Sequence, residues 1–212
     1  IRGVRKASDF LMALQLTGAA KKSSMANLQI RLPAIVIGGG LTAIDTATEL
    51  MAYYPLQVEK IQERFKILSH EFGEEHIWSM FGAEEKGILK EFLVHAEATR
   101  NERKRAEVTG ELPNFARLVR SWGGVSIVYR KNMVDSPAYR LNHEEIVKSL
   151  EEGIFFIENM SPVECIEDEY GAMKAVVFEQ QKKDEKGKYN CAGENITLPA
   201  RSVLVAAGTT PN

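Results

Sequence analysis

The residues with the most chemical content are Gly38-Gly39-Gly40-Leu41-Thr42-Ala43, a G-x-G-x-x-A sequence. Such a turn holds a pyrophosphate without any charged side chain. Gly38 permits a sharp exit from a strand. Gly40 lets phosphate oxygens approach the backbone, and Ala43 lets the following helix pack closely. Gly39, Leu41 and Thr42 complete the loop, whose amides lie at the positive end of a helix. The context supports dinucleotide binding: the apolar run Ala34-Ile35-Val36-Ile37 precedes the turn and a helical pattern follows it. Asp45, one turn into that helix, suits either a cofactor contact or a local structural bond.

A unit of this kind needs a group for the ribose at the end of its second strand, about 20 residues after the turn. Glu59 stands near that distance, but Val58, Ile61, Phe65 and Leu68 recur at helical spacing around it. Glu59 therefore reads as first-turn helix, where acids complement the dipole. The second strand is expected later, in "GGVSIVYRK", over Val125 to Tyr129. Arg130 and Lys131 close it. An acid there would hold the free hydroxyls of NAD; a basic pair suits a 2′-phosphate, with Arg bidentate and Lys a point charge. The pair favours NADP over NAD. Arg140, in the following loop, is a candidate third contact. Methyltransferases also place a glycine-rich turn after their first strand, but generally with an acid on the second.

The elements that must position these residues follow in order. A short amphipathic helix carries Phe10, Leu11 and Leu14 on one face, with Ser8 as a candidate N-cap. The helix after the glycines is expected over 41–53, ended by Pro55. Residues 54–122 read as a helical insertion without strands, including the solvated run "RNERKR". Beyond the second strand come a helix over 142–152 ended by Gly153, a third strand "IFFIE", three runs expected to form an antiparallel meander, and a last strand "SVLVAAG". The fold class expected is α/β: a Rossmann-like parallel sheet with a β-meander crossover and a helical insertion between the first helix and the second strand. The divisions are 1–53 and 123–212 for the nucleotide-binding domain and 54–122 for the insertion.

Composition bounds the function. The chain has 212 residues, 27 basic and 29 acidic, for a formal charge of −2. That balance argues against nucleic-acid or membrane partners bound through bulk charge. No apolar run reaches the roughly 18 residues of a membrane span. Cys165 and Cys191 form no C-x-x-C, which fits a reducing cytoplasm and excludes a dithiol motif in this segment. His70, His76, His95 and His143 lack metal-ligand spacing, so no metal site is expected. No G-x-S-x-G nucleophile elbow occurs. The sequence lacks an initiator Met and stops just after an apolar strand, as expected of a piece of a longer polypeptide.

Together "AIVIGGGLTAID", "GGVSIVYRK", "HEEIVKSLEEGIFF" and "GKYNCAGENITLPARSVLVAAGTTPN" resemble the pyridine-nucleotide domain of glutamate synthase small-subunit-like flavoproteins. Relatives of that family include the NADPH-reducing segment of dihydropyrimidine dehydrogenase. The resemblance covers most of the chain except the insertion. It implies NADP(H) in this domain and FAD in a domain of the same polypeptide lying on either side. Electrons would pass to iron–sulfur clusters or an electron-accepting subunit. It also implies that Ala207 and Gly208 form the turn near the nicotinamide half. The flavin carries the electron chemistry, so no catalytic residue is assigned, and the segment alone is expected to hold no flavin and turn nothing over. Three features depart from the family: Leu41 replaces a common Asp, Arg201 replaces an acid before the last strand, and the insertion is additional. A dinucleotide-sensing or interaction module using the insertion is the alternative.

Overall fold

A computed structural model describes residues 1–208 of the chain. In chain order its first half contains β1 (Val4–Lys6), α1 (Ala7–Leu16), β2 (Ala34–Ile37), α2 (Leu41–Phe72), α3 (Glu74–Ser79), α4 (Ala83–Thr109) and α5 (Phe115–Ser121). The second half contains β3 (Val125–Val128), α6 (Pro137–Glu151), β4 (Phe155–Ile157), β5 (Met160–Glu167), β6 (Met173–Lys183), β7 (Tyr189–Pro199) and β8 (Ser202–Val205). Five strands form one sheet in the order β1-β8-β2-β3-β4, every pair parallel. The class is α/β and Rossmann-like.

Both faces of the sheet are covered, which explains the unbroken apolar character of β2. Ala34 and Val36 join Leu204, Val125 and Ile127 in the core beneath the helices. Ile35 and Ile37, pointing the other way, join Val203, Val128, Val176 and Phe178 beneath β6. That second cover is the expected meander, β5-β6-β7, antiparallel throughout. It carries the chain from β4 at one edge across to β8. Strands β3 and β4 therefore lie on one side of β2, and β8 and β1 on the other. The order reverses between β2 and β8, and the carboxyl ends of those strands flank the crevice where such sheets bind ligands.

Several expectations need correction. The helix expected to stop near Tyr53 runs to Phe72 with Pro55 inside it. Proline forfeits one helical hydrogen bond, a cost of about 3 kcal/mol, yet here its ring is buried and the following turns are held by tertiary bonds. The Gln57 amide receives Ile30 N–H at 2.7 Å and donates to Ile30 O at 2.8 Å. The Lys60 ammonium donates to the carbonyls of Ala19 and Ala26. Glu59 is accordingly in mid-helix, paired with Arg103 at 2.6 Å, and not in a first turn. Helix α1 begins at Ala7, so Ser8 lies inside its first turn and the N-cap is Lys6. Helix α6 starts five residues before the expected 142, where the Ser136 hydroxyl accepts Tyr139 N–H and Pro137 fits the first turn. Asn142 marks a kink within it. The short edge strand β1 was not expected.

Among the described residues, 54–122 contain helices and no strand. Helix α4 is fastened to the sheet by Arg201, which makes a bidentate pair with Glu91 and also donates to Leu32 O. The departure at position 201 thus has a structural partner. His95 of α4 stacks on Trp122 with centroids 4.0 Å apart, and its Nδ1 lies 2.6 Å from Tyr54 Oη.

Candidate functional site

The three glycines differ in what surrounds them. A Cβ at Gly38 would lie 2.9 Å from Ala206 O, because β2 and β8 close on each other where they end. Gly38 also has φ +156°, at the edge of the range open to other residues. A Cβ at Gly39 would lie 2.5 Å from the Tyr129 ring. A Cβ at Gly40 would meet nothing within 4 Å. The first two glycines are demanded by the chain's own packing, whereas the third keeps a space clear. Gly40 is also the N-cap of α2, offers no capping side chain, and is followed by no acid in the first turn. The positive end of a 32-residue helix therefore opens onto that space. This is the fit expected for a pyrophosphate.

A cleft of about 740 Å³ lies at this rim of the sheet. Gly38, Gly39 and Gly40 line it with Tyr129 and Arg130 from the end of β3, and Ala207 and Gly208 beyond β8 complete it. The rest of the expected A-x-G-x-x-P-N sequence, with Pro211 and Asn212, lies outside the described residues. Leu41, Thr42 and Ala43, expected as cofactor contacts, are not among the residues that line the cleft. Ala43 is fully buried against the core, and Leu41 is exposed.

The expected cations separate. Arg130 faces the cleft. Lys131 carries its ammonium over the Tyr189 ring, 5.9 Å from the centroid. Arg140 pairs with Asp135 at 3.3 Å. Asp135 is the centre of a cluster that sequence reasoning missed: Lys183 Nζ donates to it at 2.6 Å and Tyr189 Oη at 2.7 Å. The Lys183 hydrogen bond, then that of Tyr189, pulls the Asp135 carboxyl down to about 2. Asp135 in turn raises the Lys183 ammonium. Tyr129 links the cleft to this cluster. Burial raises its phenol, while Arg130 and Arg140 oppose that rise. Asp135 lies in a single 3-10 turn, Met133–Asp135, just ahead of α6. Lys183 and Tyr189 reach it only because the β6–β7 hairpin folds back over the sheet.

Asp45 is exposed overall, and partial desolvation of its carboxyl, aided by Glu145, raises its pKa. Among the described residues no group of three or more His, Cys, Asp or Glu is placed to hold a metal ion, and no helix is long and apolar enough to cross a membrane. Cys165 is half-buried and Cys191 exposed; both are free thiols.

No family model matches the chain. It is 40% identical over 177 residues to "Uncharacterized protein RP006" of Rickettsia prowazekii (strain Madrid E); the match covers 84% of this chain and 22% of that protein. The chain therefore spans about a fifth of its curated relative. Among solved structures, FprA, a Mycobacterium tuberculosis oxidoreductase with a covalently modified NADP+, superposes with a TM-score of 0.46 at 13% identity, over 97% of this chain and 44% of FprA. FprA in complex with NADPH matches equally, with a TM-score of 0.46 at 13% identity over 96% and 44%. Superpositions this loose leave the functional reading to the chain's own geometry.

Proposed function

We propose that the chain binds NADP(H) for a FAD-dependent oxidoreductase of the glutamate synthase small-subunit-like kind. The observation that carries this reading is the meeting of Arg130 with the Gly38–Gly40 turn in one cleft at the sheet's switch point. The amides at the start of α2 hold the pyrophosphate in the space that Gly40 leaves clear. Arg130 meets a 2′-phosphate, and no acid closes β3 to claim the free hydroxyl of NAD. The other arm of the nucleotide runs toward Ala207 and Gly208, which puts the nicotinamide at the carboxyl end of β8. The flavin, held elsewhere in the polypeptide, supplies the redox chemistry when bound. This chain's part is to bind and orient. Its curated relative is more than four times its matched length, which leaves ample room for a FAD domain and for iron–sulfur or other electron-accepting parts.

Titration of the chain with NADPH and NADH tests the reading. Charge-assisted hydrogen bonds to phosphate are worth about 1.5–3 kcal/mol, so Arg130→Ala is expected to weaken NADPH binding roughly 10- to 100-fold with little change for NADH. Failure of the folded chain to bind either nucleotide would instead favour a protein-interaction module built on residues 54–122.

A further inference from the structure

A second hollow, of about 880 Å³, begins where the cleft ends. Tyr129 and Arg130 line the cleft; Asn132, two residues on, lines the hollow together with Asn159, Gln181 and Lys183. The two are stitched together by backbone bonds from Met160 N–H to Tyr129 O and from Asn159 N–H to Lys131 O. Asn159 adopts φ +60°, and its side-chain oxygen is buried without a donor. At the Asn132 end, Arg140 and Lys183 pair with the Asp135 carboxylate, Lys131 lies over the Tyr189 ring, and Arg130 faces the adjoining cleft. Two other nearby acids are already engaged: Glu158 accepts Met133 N–H, and Asp184 accepts the amides of Lys186 and Lys188 within its own turn. Glu185 and Glu194 also line the hollow, so an anion is favoured at the Asn132 end and not along its whole length.

We propose that the β6–β7 hairpin forms the far wall of the pocket for the adenosine end of the nucleotide, with Lys183 joining Arg130 around the ribose 2′-phosphate and the Tyr189 hydroxyl, which donates to Asp135 and accepts Asn132 N–H, positioning that carboxylate. This rests on the dinucleotide reading of the cleft. Asp135 is the anchor: it holds Lys183, Tyr189 and Arg140 in one place before any phosphate arrives. An ammonium has three protons to donate, so Lys183 serves a phosphate without releasing Asp135. The Tyr189 ring, with Lys183 Nζ 5.5 Å and Lys131 Nζ 5.9 Å from its centroid, keeps both ammonium groups at the same end of the hollow. The adenine base carries an exocyclic amine, the kind of donor that the Asn159 oxygen lacks.

The test compares NADPH with NADH, and 2′,5′-ADP with ADP, by calorimetric titration of the intact chain. Lys183→Gln is expected to weaken NADPH and 2′,5′-ADP about tenfold and to leave NADH and ADP unchanged. Lys183→Arg should restore most of the loss, and Tyr189→Phe should weaken the phosphorylated ligands by a few-fold. The Lys183 side chain is 40% exposed, so its replacement leaves no buried hole; an unchanged melting curve verifies this. Equal weakening of all four ligands would overturn the proposal, because Lys183 would then be acting on the fold. So would wild-type NADPH affinity in Lys183→Gln alongside a large loss in Arg130→Ala, which would leave the dinucleotide reading standing. If the wild type binds neither nucleotide, that reading falls and the hairpin proposal falls with it.

Discussion

At the scale of single residues, the glycine turn divides into positions fixed by packing and a position left open. Gly39→Ala drives a methyl into the Tyr129 ring, at 2.5 Å from its carbons. Overpacking of this kind costs about 1–3 kcal/mol, read as a lower denaturant midpoint. Adding Tyr129→Ala should make the Gly39→Ala step nearly neutral in a double-mutant cycle. Gly40→Ala is the contrast. Its φ of −97° suits any residue and its Cβ meets nothing, so stability should fall by no more than about 1 kcal/mol, the cost of Ala at an N-cap, while NADPH affinity falls at least tenfold as the methyl enters the space proposed for the pyrophosphate. The G-x-G-x-x-A pattern made the turn legible, and the close packing expected at Gly38 and Ala43 is present. It said nothing about Gly39, an unspecified position in the pattern, because its constraint comes from an aromatic ring 90 residues away. The Asp135 cluster was hidden for the same reason: three of its members are brought together only by tertiary folding.

At the scale of elements, continuous apolar runs were easiest to read. β2 is buried and apolar throughout, and β3 and β8 are mostly so, with Ser126 and Ser202 the polar residues in their runs. β1 was missed because Val4-Arg5-Lys6 is a short, partly exposed edge with no such run. The course of α2 was misjudged because proline is usually a stop signal, and the bonds from Gln57 and Lys60 that carry the helix past it cannot be seen locally. Helices α2 and α4 and the residue after α5 meet at Tyr54, His95 and Trp122, and stability is expected to respond to pH at this joint. Burial lowers the His95 pKa, with Arg201 helping and Glu91 opposing. A depressed folded-state pKa means that the unfolded chain binds the proton more readily. The stability contributed by neutral His95 is therefore complete above the unfolded value of about 6.5 and declines as pH falls from there toward the folded value. Urea midpoints should drop between pH 7.5 and 5.5, and His95→Phe should flatten that slope.

At the scale of the whole molecule, the helices of 54–122 share the core of the sheet domain. Tyr54, Val58, Phe92 and Val119 lie in one cluster with Val36 and Leu204. Gln57 and Lys60 also bond the connector between α1 and β2. A chain in which 54–122 is replaced by a short linker is therefore expected to lose cooperative unfolding in circular dichroism, even though the five parallel strands remain encoded. Retention of a sharp transition would show that the sheet domain is self-sufficient.

The uninterrupted course of α2 has a mechanical corollary. At 1.5 Å per residue its 32 residues span about 48 Å, from the rim of the cleft to Phe72. Pivoting such a rod by one degree about its glycine end swings its distal tip by about 0.8 Å. A rigid tilt of the whole helix would therefore be largest at the remote end, where the Trp78 indole lies against Phe65.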